Sequence, residues 1–371
     1  MEKLSLDKAL IRAKSHINKN EISEAKKLYQ AVLLAFPQNI IARQGLATLS
    51  NQRQDNIIQT PFEEALKELL NLYNRGQLAS VVEQAQILIK QYPQAFIIWN
   101  FLGAANKGLG QVEKASEAFK KVTELNPNYA DGFNNLGATL SDHGKLKEAI
   151  EAYNKAISLR PNDATTYFNM GNALQEQGNT NEAVKAYKKA ILLKPDYAKA
   201  YNNMGAAFRD QVKLEASLEA YKKVILLDPN YAEAYNNMGD IFRDQEKFDE
   251  AIEAYKKALL LKPNYAQAYN NIGLTYKAHG TLDKALEAFN LAVSVKPNYA
   301  EALYNMSLSL LYSGRIKEGL DEYEWRFKAK KFRPNLRYFS HPMWDGKASL
   351  NDKRILIWCE QGIGDTMNWS S

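Results

Sequence analysis

Asparagine recurs every 34 residues at six positions of this chain, Asn135, Asn169, Asn203, Asn237, Asn271 and Asn305. An amide carries both a donor and an acceptor, so a row of amides can pair with the peptide units of a bound chain whatever its side chains are. The chemistry implied is recognition rather than bond making. Asparagine inside a helix costs roughly 0.5–0.7 kcal/mol relative to alanine, so six of them cost about 3–4 kcal/mol and need a compensating interaction. Two accounts follow. Either each amide bonds within or between neighbouring elements as part of the packing, or the amides form a ladder that holds an extended peptide. On the packing-free account, alanine at these positions leaves stability equal or slightly higher.

A second row, Asn100, Asn134, Asn202, Asn236 and Asn270, stands one residue before the first, and Phe101 interrupts the main row at its start. Six residues beyond it come Lys107, Arg209, Arg243 and Lys277, candidate charges of the same groove, with Asp142, Glu176, Asp210 and Asp244 next to that column. Mixed charge of this kind suits a polar, sequence-tolerant groove. Nothing comparable points to catalysis: no nucleophile is paired with a base, and no acid–base pair or metal-ligand set recurs. His16, His143, His279 and His341 lie far apart and read as surface turn residues. Cys359 is the only cysteine, which rules out an intramolecular disulfide or a multi-thiolate metal site. No catalytic residue, metal ligand or cofactor is assigned.

The elements that must carry these rows are set by proline. Pro93, Pro127, Pro161, Pro195, Pro229, Pro263 and Pro297 are 34 residues apart, and units registered on them begin at 96, 130, 164, 198, 232 and 266. Position four is aromatic (Trp99, Phe133, Tyr167, Tyr201, Tyr235, Tyr269). Position eight is glycine (Gly103, Gly137, Gly171, Gly205, Gly239, Gly273), and position twenty is small (Ala115, Ala149, Ala183, Ser217, Ala251, Ala285). Small residues let two helices of one hairpin approach, large ones fill the space around them, and proline ends the second helix. The chain resembles the tetratricopeptide repeat (TPR) family, whose 34-residue helix-turn-helix period is a familiar signature. The expected fold is an all-α TPR solenoid, because a single hairpin cannot bury its apolar face and must stack on neighbours. Gly110, Gly144, Gly178, Gly280 and Gly314 follow the first helices, as a left-handed cap requires. Val212 and Glu246 stand at the same place in two adjacent units, and a β-branched residue is strained at positive φ, so the turns there are expected to be built differently.

Residues 1–61 read as a divergent N-terminal cap, with Ala25, Tyr29 and Pro37 in repeat register, followed by a linker; residues 62–333 read as the repeat array, degenerate from residue 300; residues 334–371 read as a separate segment. Terminal repeats deviate because one face lacks a neighbour. The net charge of +6 equals the six cations between Arg326 and Arg337, so the array itself is close to neutral and no nucleic-acid partner is expected. Those cations read more readily as a solvated linker face than as a recognition patch. Neither a signal-peptide core nor a transmembrane run is present, so no membrane partner is expected and the cytoplasm is the expected compartment.

Near the C-terminus, Ile355-Leu356-Ile357-Trp358 is a continuous apolar run that reads as a buried strand, and Glu360, Gln361, Gly362, Gly364 and Asp365 follow it as either a tight turn or a candidate ligand loop. Together with Tyr323 to Arg326 and Pro342 to Gly346, these segments resemble bacterial TPR proteins with a C-terminal glycosyltransferase-like domain. That resemblance implies that only the opening strand of the domain is present, that this chain alone transfers no sugar, and that a sugar nucleotide is a partner only if the missing domain is present. The array also resembles the TPR arm of protein O-GlcNAc transferase, where asparagines at the matching position line the concave face and hold a peptide backbone. Carried over, this implies that Asn135, Asn169, Asn203, Asn237, Asn271 and Asn305 bind a peptide or protein segment, in a scaffold for protein binding or in the substrate-recruiting arm of a transferase. TPRs that clamp a carboxylate tail place cations where asparagine stands here, so chaperone tails are not the expected ligand.

Overall fold

The computed structural model describes residues 6–18, 21–36, 39–51 and 61–329. The expected strand and the Glu360 to Asp365 turn, together with Cys359 and His341, lie outside the described residues. Every regular element that is described is helical, in two units, Met1–Leu125 and Asn126–Ser371.

The first unit contains α1 (Leu6–Asn18), α2 (Ile22–Ala35), α3 (Ile40–Asn51), α4 (Pro61–Asn74), α5 (Leu78–Gln91), α6 (Phe96–Gly108) and α7 (Val112–Leu125). The second continues with α8 (Ala130–Asp142), α9 (Leu146–Leu159), α10 (Ala164–Glu176), α11 (Thr180–Leu193), α12 (Ala198–Asp210) and α13 (Leu214–Leu227). It ends with α14 (Ala232–Asp244), α15 (Phe248–Leu261), α16 (Ala266–Ala278), α17 (Leu282–Val295), α18 (Ala300–Tyr312), α19 (Ile316–Tyr323) and a 3-10 turn, Glu324–Phe327. Each 34-residue period is thus a helix of 13 residues followed by one of 14, and the final second helix is cut to 8.

Within each of the six regular repeats the glycine column meets an aromatic ring. A Cβ added at Gly103, Gly137, Gly171, Gly205, Gly239 or Gly273 would stand 2.5–2.8 Å from the nearest ring atom of Phe119, Tyr153, Tyr187, Tyr221, Tyr255 or Phe289 respectively. These rings are almost fully buried, and burying one such side chain is worth on the order of 1.5–3 kcal/mol. The small column at position twenty is sealed as well; where serine replaces alanine, Ser217 donates its hydroxyl to the Gly205 carbonyl at 2.7 Å and so is satisfied. In the last repeat Ser307 takes the glycine's place, buried, with its hydroxyl on the Tyr304 carbonyl.

The turns correct one expectation. Val212 and Glu246 adopt φ values of 59° and 60°, beside 71–87° for the glycines at the same position. The turn is the same: Lys213 N–H reaches Phe208 O at 2.9 Å and Lys247 N–H reaches Phe242 O at 2.8 Å, as Lys145 N–H reaches Leu140 O at 2.9 Å after Gly144. The helix-end hydrogen bonds and the packing on either side outweigh the side-chain strain, and the side chain itself costs nothing in space because Val212 projects into solvent. Arg326 is a second correction. Rather than lying on a solvated linker face, it packs over the Tyr323 and Phe327 rings and pairs with Glu324 at 2.7 Å.

Candidate peptide-binding face

In the second unit each first helix touches the first helix of the next repeat, from α8 through α10, α12, α14 and α16 to α18, and α9, α11, α13, α15 and α17 each pack against the first helices before and after them. First-helix side chains at positions five, six, nine and twelve therefore share one face of this unit. The period of 3.6 residues per turn is what places those four columns side by side.

The position-six amides link repeats. The Nδ2 group donates to Oδ1 of the position-five asparagine of the preceding repeat in four pairs: Asn169 to Asn134 at 3.2 Å, Asn237 to Asn202 at 3.1 Å, Asn271 to Asn236 at 3.1 Å and Asn305 to Asn270 at 3.0 Å. The exception follows from sequence. Phe168 occupies position five, so Asn203 reaches past it to Oδ1 of Asn172, at position nine, at 2.8 Å. Asn202 and Asn236 also donate to the adjacent Asn203 and Asn237 at 3.1 and 3.5 Å. The compensating interaction that mid-helix asparagines need is thus present in the protein itself for Asn169, Asn203, Asn237, Asn271 and Asn305, and alanine at these five positions removes a bond between repeats. Each bonded amide still has acceptor capacity. Among the described residues no protein donor reaches Oδ1 of Asn169, Asn271 or Asn305, and none of these oxygens is sealed from solvent. At the start of the row, in the first unit, Phe101 packs edge-on to Tyr73 with centroids 6.1 Å apart.

A second tier joins positions nine, twelve and twenty-four. Tyr187 directs its hydroxyl at Asn172 Oδ1 (2.9 Å) and Gln175 Oε1 (3.0 Å), while Tyr255 donates to Asp240 Oδ1 at 2.7 Å. Asp240 is almost wholly buried and also receives Arg209 Nη1 at 3.1 Å and Arg243 Nη2 at 3.3 Å; Arg209 Nε completes the network on Asp244 at 2.7 Å. Burial works against the Arg209 charge, but the Asp244 hydrogen bond and the two carboxylates outweigh it and hold its pKa above the usual value. Burial and the Asp240 charge together push the Tyr255 hydroxyl far above its ordinary value. Two of the candidate groove charges, Arg209 and Arg243, are therefore already engaged by acids within the fold. Lys277 differs: its Nζ lies 4.9 Å over the Tyr312 ring, and burial lowers its pKa. Lys107 is half-buried on α6, in the other unit. Asp210 accepts from Gln175 Nε2 at 3.0 Å, and Asp142 and Glu176 are exposed.

Asn172 and Asp240, which tie these tiers together, were not legible as site residues. Their signal was a polar exception in a position-nine column that otherwise reads Ala104, Ala138, Ala206, Leu274 and Leu308. Asn135 lies on α8, half-buried, at the head of the row. Among the described residues no group of three or more His, Cys, Asp or Glu side chains could hold a metal ion, and no helix is long and apolar enough to cross a membrane.

Among solved structures, the chain is similar to one in the Cut9–Hcn1 hetero-tetramer of the APC/C at 18% identity and a TM-score of 0.53, covering 82% of this chain and 56% of that one. The chain thus spans little more than half the length of that relative. MamA is similar at 31% identity over 45% of this chain and 97% of its own, with a TM-score of 0.41. YrrB, described as a TPR protein with an unusual peptide-binding site, is similar at 27% identity over 51% and 98%, also with a TM-score of 0.41. No curated protein matches the chain. The family model described as TPR repeat matches residues 103–144, 140–178, 171–212, 207–242 and 239–280, and one described as tetratricopeptide repeat matches 266–299. Together these cover more than half of the 371 residues, and the protein belongs to the tetratricopeptide repeat family.

Proposed function

We propose that this protein is a protein-interaction module that holds an extended peptide or partner segment along the first-helix face of its repeats, with Asn135, Asn169, Asn203, Asn237, Asn271 and Asn305 as the backbone-reading row. The observation that carries the reading is the orientation of the amides. From Asn169 to Asn305 their nitrogens are tied to the preceding repeat, which fixes the side-chain rotamers and leaves acceptor oxygens to meet peptide N–H groups at little ordering cost. With Arg209 and Arg243 neutralised within the fold, selectivity for a charged tail is not their task, and Lys277 is the cation left for a ligand. In this reading residues 62–333 are the binding array and residues 1–61 its cap and linker.

The test is an array of unstructured peptides probed with the full chain, followed by titration of the best binders. Asn169→Ala with Asn203→Ala and Asn237→Ala should weaken these at least about tenfold while circular dichroism stays helical. Unchanged affinity in a folded triple variant would refute the backbone-reading row.

A second reading rests on the C-terminal sequence: Tyr323 to Arg326, Pro342 to Gly346 and the apolar run before Glu360, Gln361, Gly362, Gly364 and Asp365 resemble the entry into a glycosyltransferase-like domain. The array is then a substrate-recruiting arm and that loop a ligand loop. Calorimetry with a panel of sugar nucleotides, against a variant altered at Gly362 and Gly364, tests it; the absence of loop-dependent binding to any protein extending through the whole domain counts against it.

A further inference from the structure

Three leucines stand in the open where the fold has no use for them. Leu192, Leu226 and Leu260 occupy the same register near the ends of α11, α13 and α15, and they are 71%, 70% and 82% exposed. The repeats on either side carry Ser158 and Ser294 at this position, each with its hydroxyl bonded to a carbonyl of its own helix. A lysine doublet accompanies them. Lys188-Lys189, Lys222-Lys223 and Lys256-Lys257 precede the three leucines by a helical turn, whereas the flanking repeats read Asn154-Lys155 and Asn290-Leu291. The doublet recurs further back as Lys120-Lys121, but there Glu124 stands at the leucine position and pairs with Lys121, so doublet and exposed leucine coincide only in these three repeats and are one feature. Lys222 and Lys256 pair with Glu219 and Glu253, but among the described residues Lys189, Lys223 and Lys257 have no carboxylate partner. A row of apolar side chains with a parallel row of uncompensated cations, bordered by polar residues, is how an interaction surface differs from scattered exposed leucines.

We propose that Leu192, Leu226 and Leu260 with Lys189, Lys223 and Lys257 form a second docking face, separate from the first-helix face, for an acidic amphipathic helix of a partner protein. Charge complementarity selects the acid. The narrowness of the band selects a single helix over an anionic lipid surface: α11, α13 and α15 carry seven lysines against six carboxylates, and the acids, gathered in the first halves of these helices, would be pressed against any sheet of lipid charge. The band is built of side chains, with no free backbone edge to pair an extended strand, so a partner that satisfies its own backbone bonds fits it best. Its apolar residues would follow the i, i+3/i+4, i+7 stripe. This face does not depend on the peptide-binding reading above.

The experiment is selection of a displayed library of helical peptides on the full chain. Two variants serve as comparison, Leu192→Ser/Leu226→Ser/Leu260→Ser, which copies the flanking repeats, and Lys189→Gln/Lys223→Gln/Lys257→Gln; both should melt as the wild type does, since all six side chains are exposed. Enriched peptides should carry an apolar helical stripe flanked by Asp and Glu, lose affinity about tenfold or more on the leucine variant, and lose salt sensitivity on the lysine variant. The proposal is overturned if no peptide is enriched, if enriched peptides bind the variants equally well, or if the wild type binds phosphatidylserine vesicles and not peptides. A self-association in sedimentation that the leucine variant abolishes would assign the face to a second copy of the chain and equally overturn it.

Discussion

Asn271 donates its Nδ2 group to Oδ1 of Asn236 across 3.1 Å, joining two successive first helices through amides that are both buried. Leaving one buried polar partner unmet costs about 1–3 kcal/mol, against a helix-propensity gain of roughly 0.5–0.7 kcal/mol for alanine. Asn236→Ala and Asn271→Ala should each destabilise the protein by about 1–2 kcal/mol in urea titrations. The double variant should cost less than the sum, because both partners leave together. Strict additivity would show that the bond contributes nothing.

Gly171→Ala sets propensity against packing. Alanine favours the helix by about 1 kcal/mol, yet its Cβ would fall 2.5 Å from Tyr187 Cε1. The ring cannot step aside cheaply, since its hydroxyl is held by Asn172 and Gln175. A net loss of about 1–3 kcal/mol is expected, measured as a lower midpoint of chemical denaturation; a stabilised variant would show that the hairpin opens freely.

Val212→Gly and Glu246→Gly should do the opposite. Both positions hold φ near 60°, where a side chain costs roughly 1–2 kcal/mol that glycine avoids, while glycine gives back part of this through the freedom of the unfolded chain. A gain of about 0.5–1 kcal/mol in each variant is expected from thermal melts. A loss in either would mean that the side chain contributes contacts its exposure does not suggest.

Alkaline pH should unfold the protein through its tyrosines. Burial, then neighbouring carboxylates, push Tyr265 and Tyr299 up to about 12 from the ordinary 10.0, and burial raises Tyr153, Tyr187 and Tyr221 further. A raised phenol means that the folded state keeps its proton where the unfolded state loses it. This contribution is complete below about pH 10 and is lost as pH climbs through the folded values. Absorbance at the tyrosinate band should show part of the tyrosines ionising near pH 10 and the buried set ionising together with the loss of helical circular dichroism. Titration of all tyrosines near pH 10 with helicity intact would contradict the burial.

What was legible in the sequence is what happens within one repeat. The pairing of Gly171 with Tyr187 spans sixteen residues of one hairpin, so the columns of small, aromatic and proline residues determined the helices and their all-α stacking. Position-six asparagine was equally visible, but its partner was not. That partner stands 35 residues back when position five is asparagine and 31 back when Phe168 displaces it, and only the lateral docking of neighbouring first helices decides which oxygen is in reach. The same docking placed Asp240 between Arg209 and Arg243 and so removed two cations that the sequence had left open to a ligand. At Val212 the sequence argued from the intrinsic preference of one residue, whereas the turn is held by the Lys213 to Phe208 hydrogen bond and by the helices on both sides. Local preference is worth about 1–2 kcal/mol, and the tertiary structure outweighs it because several contacts act on that one turn at once.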